Sequence, residues 1–116
     1  MRRVAIALLL MFASPAAHAE ARFALLIGNQ AYDASVGVLR NPHNDIALVG
    51  DALANQGFEL LPPVKDAKRS SILGAVRELV RRLIGGVTGS IGFLYYSGHG
   101  AAEKDTNINY LIPVDA

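Results

Sequence analysis

Cysteine is absent from all 116 residues of the sequence. A chain without cysteine forms no disulfide bonds, and it has no thiolate that could act as a nucleophile. Tryptophan is absent too, and aromatic residues make up only 7% of the chain. The fold must therefore be stabilised by a largely aliphatic core or by partners, and the chain itself has no thiol chemistry.

Charged residues are scarce, at 18% of the sequence, with 11 basic residues against 10 acidic ones. This balance gives no basic surface of the kind that binds nucleic acid. Hydrophobic residues make up 52% of the chain, which is typical of a globular protein and excludes a disordered or fibrous one. The length leaves room for one small domain, whose stability we expect to be marginal.

The amino terminus has the pattern of a secretory signal peptide. Arg2 and Arg3 are followed by an apolar run, Val4 to Ala13, and Ala17-His18-Ala19 fits a cleavage site. The run is too short to span a bilayer as a stable helix. We therefore expect cleavage after Ala19, a mature domain over residues 20–116, export to a periplasm or out of the cell, and no membrane attachment after cleavage. An uncleaved, membrane-tethered form is the alternative.

Apolar runs and breaking residues alternate along the mature chain in the order strand, helix, strand, helix, strand. This order, with connections of this length, predicts parallel strands joined by right-handed crossovers, with helices on both faces of the sheet. The predicted class is α/β. The predicted elements are a strand from Arg22 to Ile27, a helix from Pro42 or Asn44 to Gln56 closed by Gly57, a strand from Phe58 to Leu61 ended by Pro62-Pro63, a helix from Ala67 to Ile84 capped by Asp66, a strand from Ile91 to Ser97, a polar loop from Ala102 to Asn109, and a short extended piece from Tyr110 to Ile112.

His99 is the leading candidate for a functional residue. It lies between Gly98 and Gly100, directly after the strand that ends at Ser97. Ligands of parallel α/β sheets bind beyond the carboxyl ends of the strands, and an imidazole can take up and return a proton near neutral pH. The alternative is a histidine that only satisfies a loop hydrogen bond.

Other kinds of site have weaker support. Ser97 does not lie in the Gly-x-Ser-x-Gly sequence that presents a nucleophilic serine on a sharp turn. His43 and Asp45 do not have the spacing of zinc ligands. Gly28-Asn29 lacks the glycine spacing of nucleotide-binding loops. We therefore expect neither a metal nor a nucleotide.

Four segments together resemble the caspase-like cysteine peptidases, and are most similar to bacterial metacaspase-type domains. In chain order they are Phe23-Ala24-Leu25-Leu26-Ile27-Gly28-Asn29, Asn41-Pro42-His43-Asn44-Asp45-Ile46-Ala47, Phe93-Leu94-Tyr95-Tyr96-Ser97-Gly98-His99-Gly100, and Asn109-Tyr110-Leu111-Ile112-Pro113-Val114-Asp115-Ala116. They span nearly the whole mature chain, and four segments in register are far more specific than any one alone.

The resemblance implies the caspase-hemoglobinase fold, a three-layer α/β/α sandwich with a mainly parallel sheet. It also implies cysteine-type endopeptidase activity on protein or peptide substrates through a Cys–His dyad, without an organic cofactor. His99 matches the dyad histidine, which acts as general acid/base, and Gly100 matches an oxyanion donor. Asp45 matches an aspartate of the pocket that receives an Arg or Lys side chain. From the residues alone, Asp45 is equally explained as a carboxylate that complements the helix dipole.

The chain departs from that pattern in one respect, because the family's nucleophilic cysteine ends a further parallel strand that has no counterpart here. A histidine cannot form the acyl intermediate in place of a thiolate. We therefore expect no peptide hydrolysis by this chain as written. The first hypothesis is that the chain is the amino-terminal part of a longer peptidase, truncated before that strand. The second is a non-catalytic binding or assembly module, and the third is a serine or metal hydrolase unrelated to caspases.

Overall fold

The computed structural model describes residues 20–116, so the predicted signal peptide lies outside the described residues. The described part has two α-helices, α1 (Pro42–Asn55) and α2 (Arg69–Gly85). A parallel sheet contains β1 (Arg22–Gly28), β2 (Glu59–Leu60), β3 (Val64–Lys65) and β4 (Ile91–Ser97), and β5 (Gly100–Ala102) with β6 (Asn109–Leu111) forms an antiparallel hairpin. Neither helix combines the length and the hydropathy needed to cross a membrane.

β1 is the central strand of the parallel sheet. β4 pairs with β1 along all seven residues, from Arg22 opposite Ile91 to Gly28 opposite Ser97. β2 and β3 also pair with β1, the first near its start and the second near its end. Because a strand has only two edges, β2 and β3 lie end to end along the edge that β4 does not use.

β2 ends before Pro62-Pro63 as predicted, but the expectation that the missing N–H groups of the prolines forbid further pairing is wrong, because β3 pairs with β1 after them. The N–H of Leu61 donates to Ala24 O at 2.9 Å before the prolines, and the N–H of Asp66 donates to Gly28 O at 3.0 Å after them. Prolines remove only their own N–H groups, and they hold the backbone in an extended conformation that can continue along β1. The ladder is therefore interrupted, and it resumes at Val64.

Alternate residues of β1 pack on opposite faces of the sheet, against α1 on one side and against α2 on the other. The buried residues are Ala24, Leu26, Ile46 and Leu53 on the α1 side, and Phe23, Leu25, Ile27, Leu61 and Leu79 on the α2 side. Burial of a large aliphatic side chain stabilises a fold by roughly 1.5–3 kcal/mol. The predicted three-layer α/β/α architecture with a mainly parallel sheet is confirmed, and β1 is the strand on which both helices pack.

Gly57 closes α1, as predicted. The N–H of Gly57 donates to Ala54 O and the N–H of Phe58 donates to Leu53 O, both at 3.0 Å. This is the hydrogen-bond pattern of a Schellman motif, and Gly57 has the positive φ of 82° that the motif requires. Phe58 packs with Leu53 in the same hydrophobic cluster, so the helix end also directs the chain into β2.

The predicted cap of α2 is wrong. The helix begins at Arg69, and the Asp66 carboxylate bonds to a different part of the chain. The side chain that reaches the first turn is Asp115, whose Oδ1 accepts the N–H of Arg69 at 2.9 Å. The N–H of Val114 also donates to Ala67 O at 3.0 Å. These two bonds fasten the carboxyl-terminal residues to the start of α2.

The segment after His99 forms a hairpin where the sequence predicted a loop and one extended piece. β5 and β6 pair from Gly100 opposite Leu111 to Ala102 opposite Asn109. All residues of both strands are exposed, so no buried face gives the alternating pattern by which strands are recognised in a sequence.

β4 has one edge without a strand partner within residues 20–116. Phe93 and Leu94, which point to opposite faces, are 40% and 46% exposed although both are apolar. The seven residues of β4 carry no charge and no proline. This edge therefore lacks the charges and prolines that often prevent a further strand from pairing.

Candidate active site

The His99 ring lies just beyond the end of β4 and is held by a carbonyl group. Its Nε2 is 2.7 Å from Gly37 O, in the loop between β1 and α1. A carbonyl oxygen can only accept a hydrogen bond, so Nε2 carries the proton in this contact. In the neutral imidazole, Nδ1 then has the free lone pair. The ring is thus fixed in one tautomer with Nδ1 as its basic atom.

Two tyrosine hydroxyls hold the backbone of His99. Tyr32 Oη accepts the N–H of His99 at 3.0 Å and lies 2.8 Å from Ile112 O, while Tyr96 Oη lies 2.7 Å from His99 O. Each phenol has one proton, and both carbonyls are satisfied when Tyr32 donates to Ile112 and Tyr96 donates to His99. The Tyr32 ring also meets the imidazole edge-on, with centroids 4.6 Å apart.

The Tyr96 phenol remains protonated at any physiological pH. Burial raises the pKa of Tyr96 well above its ordinary value, and the neighbouring Tyr32 hydroxyl, 2.9 Å away, raises that pKa further. A phenolate in this place would be a charge with little solvent and no proton to give to His99 O. The hydroxyl therefore acts as a permanent donor to the backbone of the histidine.

Gly98 is required here by the lack of space. A Cβ added to this residue would lie 2.5 Å from Tyr96 Oη and 2.6 Å from Tyr32 Oη. These separations are far below van der Waals contact, so a side chain would displace the hydroxyls that hold His99. Glycine at this position allows the two tyrosines to approach the backbone.

The N–H of Gly100 points away from the hairpin partner. The N–H of Ile112 donates to His99 O at 3.0 Å, which makes His99 and Ile112 a hydrogen-bonded pair. In an antiparallel ladder, bonded pairs alternate with unbonded ones, so Gly100 opposite Leu111 is an unbonded pair. The Gly100 N–H is therefore directed outward, next to His99, where it can donate to another group.

Asp45 and Ser97 form a second polar contact at the same end of the sheet. Ser97 Oγ donates to Asp45 Oδ2 at 2.7 Å, which links the end of β4 to the first turn of α1. The N–H of Asn29 donates to Ser97 O at 2.8 Å, so the ends of β1 and β4 are joined there. Because the hydroxyl proton of Ser97 is given to Asp45, the contact does not resemble a serine activated by His99.

His43 is not part of the His99 site. Its Nε2 is buried and lies 3.2 Å from Asp66 Oδ2, without the alignment of a hydrogen bond. Asp66 Oδ1 accepts the N–H groups of Gln30 and Ala31 at 3.0 and 2.9 Å. Burial of Asp66 opposes its ionisation, but these two donors and His43 outweigh it, so the pKa of Asp66 lies below its ordinary value. Among residues 20–116, no three potential ligand side chains cluster as they would around a metal ion.

Four residues of this arrangement were not recognised from the sequence as functional. They are Tyr32, Gly37, Asp66 and Tyr96. Tyr32 is the one large side chain in the polar stretch from Asn29 to Gly37, and Tyr96 lies in an apolar strand where a buried hydroxyl needs a partner. Those two signals could have indicated a tyrosine pair. No local signal indicates that Gly37 or Asp66 is involved.

Comparison with protein families matches residues 21–116 to a family described as the caspase domain. A search among curated proteins found no match. The family match covers all but one of the residues that the structure describes, and the α/β/α fold with a mainly parallel sheet agrees with it. The chain therefore belongs to the caspase domain family of peptidases.

Proposed function

We propose that this chain provides the histidine part of a cysteine-type endopeptidase site of the bacterial metacaspase type, with His99 as the general acid/base. The observation that carries the proposal is the contact between His99 Nε2 and Gly37 O at 2.7 Å. This contact leaves Nδ1 with a free lone pair on a ring that is already oriented. A base in this state can accept a thiol proton and later return it to a leaving amine.

In the proposed reaction, His99 Nδ1 takes the proton of a thiol, and the thiolate attacks the carbonyl carbon of the scissile peptide. A C–S bond forms and the carbonyl oxygen becomes an oxyanion, to which the outward N–H of Gly100 donates. The imidazolium then gives its proton to the amide nitrogen, the C–N bond breaks, and a thioester remains. Water attacks the thioester carbon while His99 takes up a proton from it, the C–S bond breaks, and the imidazolium returns the proton to the leaving thiolate, so that the thiol is restored and the acid product is released.

The thiol must come from a polypeptide segment other than these 116 residues, because the sequence contains no cysteine. The free edge of β4 is a place where the segment that carries the thiol could pair. A strand that paired in parallel with this edge would end at the same end of the sheet as Ser97. Because parallel strands bring their carboxyl ends together, the last residue of that strand would lie at the end of the sheet where His99 is held.

Asp45 is proposed to receive the basic side chain of an Arg or Lys residue of the substrate. The carboxylate lies at the end of the sheet that carries His99, and Ser97 Oγ orients it through the 2.7 Å bond. An oriented carboxylate can form a charge-assisted hydrogen bond with an ammonium or guanidinium group.

The test is the gene sequence downstream of the Ala116 codon, followed by the activity of the protein it encodes. We expect a reading frame that encodes a further apolar strand ending in cysteine, and a protein containing it that cleaves peptides after Arg or Lys. His99→Gln should lower kcat/KM by roughly 10²–10⁴-fold, the usual contribution of a general acid/base. Asp45→Asn should reduce cleavage after Arg and Lys. A stop codon with no cysteine-ending strand in any frame would refute the proposal.

The absence of cysteine also supports a second candidate, a non-catalytic binding or assembly module on the same scaffold. That function needs the 116-residue chain to be folded, alone or with a partner. Circular dichroism and size-exclusion chromatography distinguish the two candidates, because a chain that aggregates through the free β4 edge is unsuited to be a module. Export is also proposed, and a purified protein whose first residue is Glu20 would support it.

A further inference from the structure

We infer that Asp66 is a positioning residue for His99, which it serves by fixing the loop of residues 29–37 between β1 and α1. The inference rests on the proposed function of His99 as general acid/base. Asp66 itself lies after β3, on the opposite edge of β1 from β4, and does not contact the imidazole.

Two groups of this loop bind His99. Tyr32 Oη accepts the backbone N–H of His99, and Gly37 O binds the ring through Nε2. Any movement of the loop therefore moves the backbone support and the ring support of the histidine together. The position of the loop decides whether Nδ1 faces the place where a thiol would arrive.

Asp66 holds the loop where it leaves β1. One carboxylate oxygen, Oδ1, accepts the N–H groups of two successive residues, Gln30 and Ala31, and Tyr32 follows directly. The other oxygen lies 3.2 Å from His43 Nε2, at the start of α1. One side chain thus joins the loop that follows β1 to the helix that comes after it. Hydrogen bonds to a charged acceptor are stronger than those between neutral groups.

The backbone of Asp66 has an unusual conformation. Its φ is +50°, in the left-handed region that few residues other than glycine adopt. The residue before it ends β3, and the residue after it, Ala67, is buried and bonded on both backbone groups to the Asn29 side chain. Asparagine and glycine tolerate this φ at least as well as aspartate. Substitution of Asp66 by asparagine or glycine can therefore change the carboxylate contacts without adding backbone strain.

The loop has other bonds, among them the turn at Asp33 and the contacts of the Tyr32 hydroxyl, but none of them is made by the Ala31 N–H. The N–H of Leu39 donates to Gln30 O at 3.0 Å, and Gln30 Oε1 accepts the N–H of His43 at 3.2 Å. Both of these bonds involve Gln30 and neither involves Ala31 or Tyr32. Within the described residues, the Ala31 N–H donates only to Asp66 Oδ1.

The experiment measures amide hydrogen exchange by NMR on the 116-residue chain without substrate. The variants are Asp66→Gly, which keeps the backbone conformation and removes the carboxylate, and Asp66→Asn, which keeps an oxygen acceptor. The matched control is Asn107→Gly, since Asn107 also has a positive φ, of 56°, but lies in the exposed hairpin loop. The readouts are the N–H groups of Gln30, Ala31 and His99, and the cross-relaxation between the Tyr32 and His99 rings.

We expect Asp66→Gly to lower the protection of the His99 N–H by about tenfold or more, the factor for one charge-assisted hydrogen bond. The amides of the β1–β4 ladder should keep their protection, and the ring-to-ring signal should weaken. Asp66→Asn should restore most of the His99 protection. Asn107→Gly should change none of these readouts.

The inference is overturned if Asp66→Gly leaves the His99 N–H as protected as the control does, or if Asp66→Asn loses as much protection as Asp66→Gly. Should Asp66→Gly unfold the whole chain, Asp66→Glu keeps the charge but displaces the oxygen from the two N–H groups, and Asn107→Glu, which places the same residue at a positive φ in the hairpin loop, measures the effect of the backbone strain alone. Failure of the proposed function would be read separately, from the gene sequence and from turnover, neither of which enters this experiment.

Discussion

Replacement of Gly98 by alanine tests whether the two tyrosine hydroxyls determine the position of His99. The added methyl group would lie 2.5 Å from Tyr96 Oη and 2.6 Å from Tyr32 Oη. Gly98 does not have a positive φ, so alanine can adopt its backbone conformation, and the effect should come from the collision alone. Both hydroxyls must move, and the bonds that they make to His99 and Ile112 must lengthen or break.

The expected loss of stability follows from those contacts. Four contacts connect the hydroxyls to the backbone of His99 and Ile112. The two phenol protons and the His99 N–H allow three hydrogen bonds at a time, and a typical bond contributes a net of about 0.5–1.5 kcal/mol. Insertion of a methyl group into a packed region costs about 1–3 kcal/mol. The two effects overlap, because movement that relieves the collision is what breaks the bonds. We therefore expect Gly98→Ala to lower the free energy of unfolding by about 2–4 kcal/mol.

Urea denaturation followed by circular dichroism measures this change. The control is Gly74→Ala in α2, where an added Cβ meets nothing within 4 Å and the substitution should stabilise the helix by about 0.5–1 kcal/mol. The cost of Gly98→Ala should also shrink when Tyr32 and Tyr96 are both phenylalanine, since the colliding oxygens are then gone. An unchanged cost in that background, or an effect of Gly98→Ala as mild as the control, would refute the role of the hydroxyls.

Two further predictions concern the start of α2 and the loop after β1. Asp115→Ala should lower the free energy of unfolding by about 1 kcal/mol, as does loss of a helix cap, because it removes the acceptor of the Arg69 N–H; a urea titration beside that of the exposed Asp105→Ala would show this, and equal midpoints would contradict it. The lowered pKa of Asp66 means that its contribution to stability is complete above its ordinary value of 3.8 and is lost as the pH falls through the lower value in the fold. The free energy of unfolding measured from pH 7 downward should therefore fall less in Asp66→Asn than in the wild type, and identical slopes would show that Asp66 is not the group responsible.

The main elements were predictable from the sequence because each has its signal within a few residues. The apolar run of β1 stops at Gly28, α1 begins at Pro42 and is closed by Gly57, and β4 leads directly to His99. These signals depend on local sterics and on burial by the helices. They are strong enough to give the order of the elements and the end of the sheet at which the site lies.

The remaining features depend on contacts between residues that are distant in the sequence. β3 forms because the chain pairs with β1 again after two prolines, and β5 forms because it pairs with β6. Asp66 was read as a helix cap from its position alone, whereas its partners lie 35 and 36 residues earlier. A sequence pattern does not specify which of two nearby backbone segments a carboxylate will bind.

Within residues 20–116, four residues support His99. Gly37 binds the ring, Tyr32 and Tyr96 bind the backbone, and Ile112 closes the hairpin beside it. None of these contacts involves the free edge of β4, which is where a cysteine-bearing strand would pair. The imidazole can therefore be oriented before a thiol arrives. The entropy cost of ordering the base would then not reduce the free energy gained when that strand pairs. Since the proton-transfer group is held in advance, the nucleophile is the part of the proposed Cys–His dyad that another segment must supply.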